Sequence, residues 1–243
     1  MKASFLAAAL MCFAVLLGAA DTEAVKPVLN DRSIQIGNKT LKFDSEGRIR
    51  CNSKEGDTLF VMNMYLYLTV NGKDDYSWRT KKFDKENSKF ERSGNLYVWN
   101  LQYQGHDDAN VVKLHQEMEV LPDGKIKFSA KFEVPENTET HVYHTMLSFQ
   151  MKDAVWANET VDMTGTPLVL DPSIKKTLSG TKNPVWTFGT TNPAKKFTLS
   201  IKSDEMRFFQ LQYRKFNSSY TLFFTPFKEK QDYIVYLDFA QEK

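Results

Sequence analysis

Apolar and polar residues alternate along almost the whole chain beyond residue 30. That is the spacing at which successive side chains fall on opposite faces of a β-strand. The cleanest stretch is Lys125 to Val134. Ile126, Phe128, Ala130, Phe132 and Val134 share one face, and Lys125, Lys127, Ser129, Lys131 and Glu133 share the other, as expected of an antiparallel strand with one wet side. Just upstream, Val111 to Leu121 places Val112, Leu114, Met118 and Val120 inward and Lys113, His115, Glu117 and Glu119 outward. Leu121-Pro122-Asp123-Gly124 joins the two, proline presetting φ and glycine accepting positive φ, so the pair reads as a hairpin.

The same period recurs from Phe60 to Val70. Phe60, Met62, Met64, Leu66, Leu68 and Val70 form a core stripe, and Val61, Asn63, Tyr65, Tyr67 and Thr69 lie opposite. Asn71-Gly72 closes that strand as a tight turn. Further strands are read at Asn95 to Gln104, His141 to Met151, Phe197 to Ile201, Met206 to Tyr213, Tyr220 to Thr225 and Tyr233 to Phe239. No run of ten or more residues shows a capped helical period, although residues 153–158 leave room for one helical turn. Residues 183–194 read as a loop-rich insertion. Twelve or more strands exceed what one open twisted sheet holds comfortably. The pattern therefore predicts an all-β fold, a single antiparallel β-sandwich of jelly-roll or supersandwich type.

The N-terminus breaks the pattern. Met1-Lys2 is basic, Phe5 to Leu17 is apolar, and Gly18-Ala19-Ala20 supplies small residues. This is the layout of a secretory signal peptide, and the apolar run is too short to span a bilayer. Residues 1–20 are thus expected to be removed, leaving residues 21–243 as one β-sandwich domain, secreted or periplasmic. Cys12 leaves with the signal, so Cys51 stands alone and the mature chain must rely on its core rather than on a disulfide. Beside Ile49, and read as lying off its face, Cys51 is expected to be a partly buried small residue. The chain carries 32 basic and 30 acidic residues, net +2, with no block of like charge. Neither nucleic acid nor an anionic membrane surface is implied as a partner.

Catalytic chemistry is not written in the sequence. There is no G-x-S-x-G elbow, phosphate loop or dinucleotide glycine pattern, and no H-x-H or HExxH. His106 lies beside Asp107 and Asp108, His115 shares a face with Glu117 and Glu119, and His141 and His144 point to opposite faces. No cofactor and no metal site follow from these. The aromatic residues, 13% of the chain, are more suggestive. Tyr65 and Tyr67 alternate with Asn63 and Thr69, Trp78 sits in a polar stretch next to Arg79, and Trp99 shares a face with Tyr97 and Tyr103. Flat rings beside amides and charges offer a sugar both a stacking surface and hydroxyl partners; the opposing reading of Tyr97, Trp99, Tyr65, Tyr67 and Trp78 is burial between two sheets. Trp156 and Trp186 read as core.

Asp123-Gly124-Lys125-Ile126 and Gln210-Leu211-Gln212-Tyr213-Arg214, set in the half of the chain after His141 and the hairpin before it, resemble the β-sandwich accessory domains of secreted bacterial glycoside hydrolases, with Tyr213 where those carry an aspartate. A looser resemblance is to the mutarotase-like supersandwich, which works through histidine and carboxylate groups. The signal, the absence of catalytic motifs and the aromatic-plus-amide faces, with the first resemblance beside them, lead to the expectation of an extracytoplasmic carbohydrate-binding protein without catalytic activity, with Tyr65, Tyr67, Trp78, Asn63 and Arg79 as ligand-binding residues and a polysaccharide or oligosaccharide as partner. The competing expectation is an enzyme on the same scaffold, a sugar epimerase or polysaccharide lyase, using His106, His115 or His144 with a nearby carboxylate. A structural protein of the cell envelope is the third expectation.

Overall fold

The structure, a computed structural model, describes residues 26–75, 83–104, 111–136, 138–179, 184–201, 206–226 and 232–239. The expected signal peptide lies outside them. Nineteen strands are present among the described residues. The first eight are β1 (Val28–Asn30), β2 (Ser33–Ile36), β3 (Lys39–Phe43), β4 (Ile49–Asn52), β5 (Thr58–Val70), β6 (Lys73–Asp75), β7 (Phe83–Ser93) and β8 (Leu96–Gln104). Next come β9 (Val111–Val120), β10 (Ile126–Glu133), β11 (His141–Lys152), β12 (Thr160–Met163), β13 (Thr166–Val169) and β14 (Lys175–Ser179). The last five are β15 (Val185–Phe188), β16 (Phe197–Ile201), β17 (Met206–Arg214), β18 (Ser219–Pro226) and β19 (Asp232–Asp238). One helical turn, α1 (Asp153–Trp156), falls where the sequence left room for it.

The strands form two antiparallel sheets. A ten-stranded sheet runs β1-β2-β3-β4-β5-β11-β18-β17-β14 with β6 also on β5, and a nine-stranded sheet runs β13-β12-β15-β16-β19-β10-β9-β8-β7. The all-β sandwich expected from the alternation is the observed architecture. The β9–β10 hairpin turns through Leu121–Gly124, with the Gly124 amide donating to the Leu121 carbonyl at 2.9 Å and Gly124 at φ 81°. Asn71 and Gly72, both at positive φ, make the tight turn from β5 to β6. The region expected to be a loop-rich insertion contains β15, which pairs with β12 and β16. Its short Val185-Trp186-Thr187-Phe188 alternation was hidden among flanking turn residues.

The inner faces of the sheets share one core. Phe43 of β3 meets Trp99 of β8 edge-on at 5.3 Å, and Phe60 of β5 meets Phe197 of β16 at 4.9 Å. Several large buried side chains tie the structure together through their polar atoms, while the Trp186 indole N–H is buried without a partner among the described residues. The Trp99 indole donates to the Asp44 carbonyl at 3.1 Å, the Trp156 indole to the Leu59 carbonyl at 2.7 Å, and the Tyr233 hydroxyl to Thr145 Oγ1 at 2.8 Å. Buried Gln116 points inward from β9 and donates to the Gly47 carbonyl at 3.0 Å. Gly47, at φ 73°, is required there twice over: the backbone is left-handed, and a β-carbon would collide with the Gln116 amide.

Three readings of buried residues are settled by this packing. Trp156 and Trp186 are core, as expected. Trp99, Tyr97 and Tyr103 are sealed between the sheets and are not available to a ligand. Cys51 is fully buried and shares the inward face of Ile49; positions two apart on a strand lie on one face, which corrects the expectation that it lies off that face. Burial also pushes the Cys51 thiol well above its ordinary pKa, so the lone cysteine is an inert core residue.

Candidate functional site on the outer face of the ten-stranded sheet

The alternation of β5 places Phe60, Met62, Met64, Leu66 and Leu68 in the core and leaves Val61, Asn63, Tyr65, Tyr67 and Thr69 half-buried on the outer face. Because β5 is central, its outward residues are flanked on both sides. Register sets Val61 against Gln150, Asn63 against Ser148, Tyr65 against Met146 and Tyr67 against His144 on β11. On the other side, Arg50 of β4 faces Val61, and Lys42 of β3 faces Arg50. Beyond β11, Thr221 and Phe223 of β18 line up with Gln150 and Ser148, and Gln212 and Gln210 of β17 follow.

Side-chain contacts then fix the rings. The Tyr65 hydroxyl accepts from Gln150 Nε2 at 2.6 Å. Tyr67 and His144 stack, their rings 4.8 Å apart and 14° from parallel. The Arg214 guanidinium lies 4.6 Å over the Phe223 ring and 5.8 Å from that of Phe216. With its amide oxygen turned toward that guanidinium, Gln212 accepts from Arg214 Nε at 2.9 Å and Nη2 at 3.1 Å. Phe216, in the turn between β17 and β18, is 82% exposed.

These residues line two adjoining hollows. The first, of about 560 Å³, is bounded by Tyr65, Tyr67, Met146, Arg214, Phe216 and Phe223. The second, of about 520 Å³, is bounded by Lys42, Asp44, Arg48, Arg50, Asn52, Asn63 and Val61, with Asp44 paired to Arg48 at 2.7 Å. Tyr65 and Gln150 line both, so their hydrogen-bonded pair is the saddle of one longer groove. One half is apolar and aromatic, the other cationic with amides. Such a surface can stack the C–H face of a ring and hydrogen-bond its substituents.

Of the ligand residues expected from sequence, Tyr65, Tyr67 and Asn63 are brought together on this groove, and Trp78 and Arg79 lie outside the described residues. Sequence reasoning missed Gln150, Met146, Arg214, Phe216 and Phe223. The outward stripe of β11 was legible as a stripe, but only strand order reveals that it lies beside β5.

His144 and His115 do not converge. His144 is in the ten-stranded sheet, whereas His115 lies on the outer face of the nine-stranded sheet, 2.7 Å from Asn100 Oδ1 and 3.0 Å from Glu117 Oε1. It borders a smaller hollow of about 350 Å³ with Lys131 and Glu133. His106 is outside the described residues. No group of three metal-binding side chains occurs among the described residues. The groups with large shifts in proton affinity are structural. Burial pushes up the hydroxyls of Tyr233 and Tyr220, the latter aided by its hydrogen bond to Asp153, and both residues belong to the core rather than to the groove.

No protein family and no curated protein matches the chain. Among solved structures, the fold is similar to a 4-alpha-glucanotransferase from Thermococcus litoralis, with a TM-score of 0.42 and 11% identity over 88% of this chain. The match spans 37% of that protein's length.

Proposed function

We propose that the protein is an extracytoplasmic carbohydrate-binding β-sandwich that holds an oligosaccharide or polysaccharide along the outer face of its ten-stranded sheet and performs no chemistry on it. The observation that carries the reading is the saddle: Tyr65, hydrogen-bonded to Gln150, stands between the two hollows with Tyr67 beside it. A partly exposed ring pinned by hydrogen bonding costs little further conformational entropy on binding. A ligand crossing the saddle would rest on Tyr65 and reach Asn63 and Asn52 on one side and Gln150 on the other. Export, inferred from residues 1–20, would put the groove where polysaccharide is met. Among the described residues no helix is long and apolar enough to cross a membrane.

Binding without catalysis is favoured over the epimerase or lyase reading because His144 and His115 belong to different sheets. The test is isothermal titration or affinity electrophoresis of the mature chain against a panel of soluble plant, algal and host glycans. Retention of at least one glycan, weakened in Tyr65→Ala and with no new reducing or unsaturated ends after long incubation, is the expected result. No retention of any glycan would remove the reading; product formation would replace it with the enzymatic one.

A further inference from the structure

Charge on the groove face is segregated. Reading outward from the pairing register, the described strand side chains of that face include Lys42, Arg50, Lys152, Arg214 and Lys175 and no aspartate or glutamate; the one carboxylate position the register adds is Asp74 of β6, beside Thr69 and eight residues along β5 from Val61. Asp44, which lines the amide-rich hollow, and Glu46, both in the turn after β3, pair with Arg48 at 2.7 Å and 3.6 Å respectively. Lys42 and Arg50 stand directly opposite each other on neighbouring strands, an arrangement that is unfavourable for like charges. Among the described residues no carboxylate lies within ion-pair distance of Lys42, Arg50 or Arg214.

The cations flank the rings. Lys42 and Arg50 edge the amide-rich half of the groove, Arg214 edges the aromatic half, and Tyr65 lies between. Lys42, Arg50, Val61, Gln150, Thr221, Gln212 and Lys175 form one transverse row across seven strands. At ~4.8 Å per strand that row is about 29 Å long, room for several sugar units. A neutral glycan would leave the Lys42–Arg50 repulsion unrelieved, whereas anionic groups spaced along a chain would neutralise both ends while its rings stack at the centre. Arg214 is held by Phe223 and Gln212 with its charge uncompensated, and a guanidinium so fixed suits a planar carboxylate or a sulfate oxygen.

Building on the carbohydrate reading, we infer that the groove selects an acidic polysaccharide, one bearing uronate carboxylates or sulfate esters, with Lys42, Arg50 and Arg214 as its anion contacts.

The experiment titrates the mature chain with polygalacturonate and alginate (carboxylates), carrageenan (sulfates), neutral xylan and glucan, and the sugar-free polyanions polyglutamate and polyphosphate. Variants are Arg50→Gln, Arg214→Gln, their conservative Lys forms and Tyr65→Ala, with melting curves checking the fold. Expected is binding to a carboxylated or sulfated glycan at least tenfold tighter than to neutral glycans. It should fall about tenfold in each Gln variant, recover partly in Arg50→Lys, and weaken from 0.05 to 0.5 M salt, because charge contacts at a surface are screened. Which of the two acidic classes binds identifies the anion.

Equal binding of neutral and acidic glycans overturns the inference and leaves the carbohydrate reading standing. Equal binding of polyglutamate and acidic glycan, unaffected by Tyr65→Ala, overturns both, the face being then a simple ion exchanger. Binding of nothing overturns both as well. If a Gln variant melts early, the Lys variants and the salt series decide alone.

Discussion

The two outer faces of this sandwich are built from the same alternation and have opposite surface chemistry. On the nine-stranded sheet, charges of both signs interleave. Lys113 faces Glu133 across 3.9 Å, and Glu117 accepts from His115 and from Ser129. On the ten-stranded sheet the outward strand positions outside β6 carry cations, amides and rings without a carboxylate, and two hollows meet there at Tyr65. The first is the ordinary way to keep a sheet soluble, with opposite charges answering one another in water, each pair adding little. The second leaves charge unanswered and rings partly uncovered, which stability does not require. A face that departs from the rule followed by its neighbour is where a ligand is to be sought.

The contrast can be broken in several places. The largest effect is expected from the rings the sandwich hides. Trp99→Ala removes a fully buried indole and its bond to the Asp44 carbonyl, and should cost ~3–5 kcal/mol of stability, seen as a loss of several degrees or more in Tm. A change near zero would mean that Trp99 is not sealed between the layers. Next is Gly47→Ala, which must find room beside Gln116 in a left-handed backbone. About 1–3 kcal/mol is expected from backbone strain and the clash together, and pairing it with Gln116→Ala should recover part of the loss in a double-mutant cycle.

Tyr65→Ala should do the reverse of Trp99→Ala, leaving Tm nearly in place while weakening glycan binding about tenfold, equivalent to ~1.4 kcal/mol. Titration and melting curves on the same preparation separate the two effects. The smallest response belongs to the other face. His115→Ala breaks contacts to Asn100 and Glu117 at the surface and should shift stability by no more than ~0.5 kcal/mol, with glycan binding unaltered. A marked loss of binding in this variant would move the site to the nine-stranded sheet. Finally, the Cys51 thiol should resist a thiol reagent at pH 8 in the native protein and react once denaturant opens the fold, since burial keeps it protonated.

Much of this was present in the local pattern. The hairpin at Leu121–Gly124, the β5–β6 turn at Asn71-Gly72 and the two stripes of β5 all follow from neighbours within a few residues, where alternation and turn chemistry act. Short strands among turn residues, such as β15, carried too few positions for the period to register. The balance of 32 basic and 30 acidic residues concealed the segregation of charge, because a sum over the chain says nothing about which face each residue joins.

The sequence by itself determined the class of fold, the inward stripe of each long strand and the pairing of Tyr65 and Tyr67 with Asn63 on one side of β5, because a period of two is a property of a single strand. Only the tertiary structure decided that Tyr97, Trp99 and Tyr103 are sealed while Tyr65 and Tyr67 stay open, and that Gln150, Phe223 and Arg214 join them. The physical reason is that both sets of rings alternate alike, and which side of a strand meets the opposing sheet depends on strand order and layer packing between residues as far apart as Tyr65 and Gln150, whose separation of 85 positions no local pattern spans.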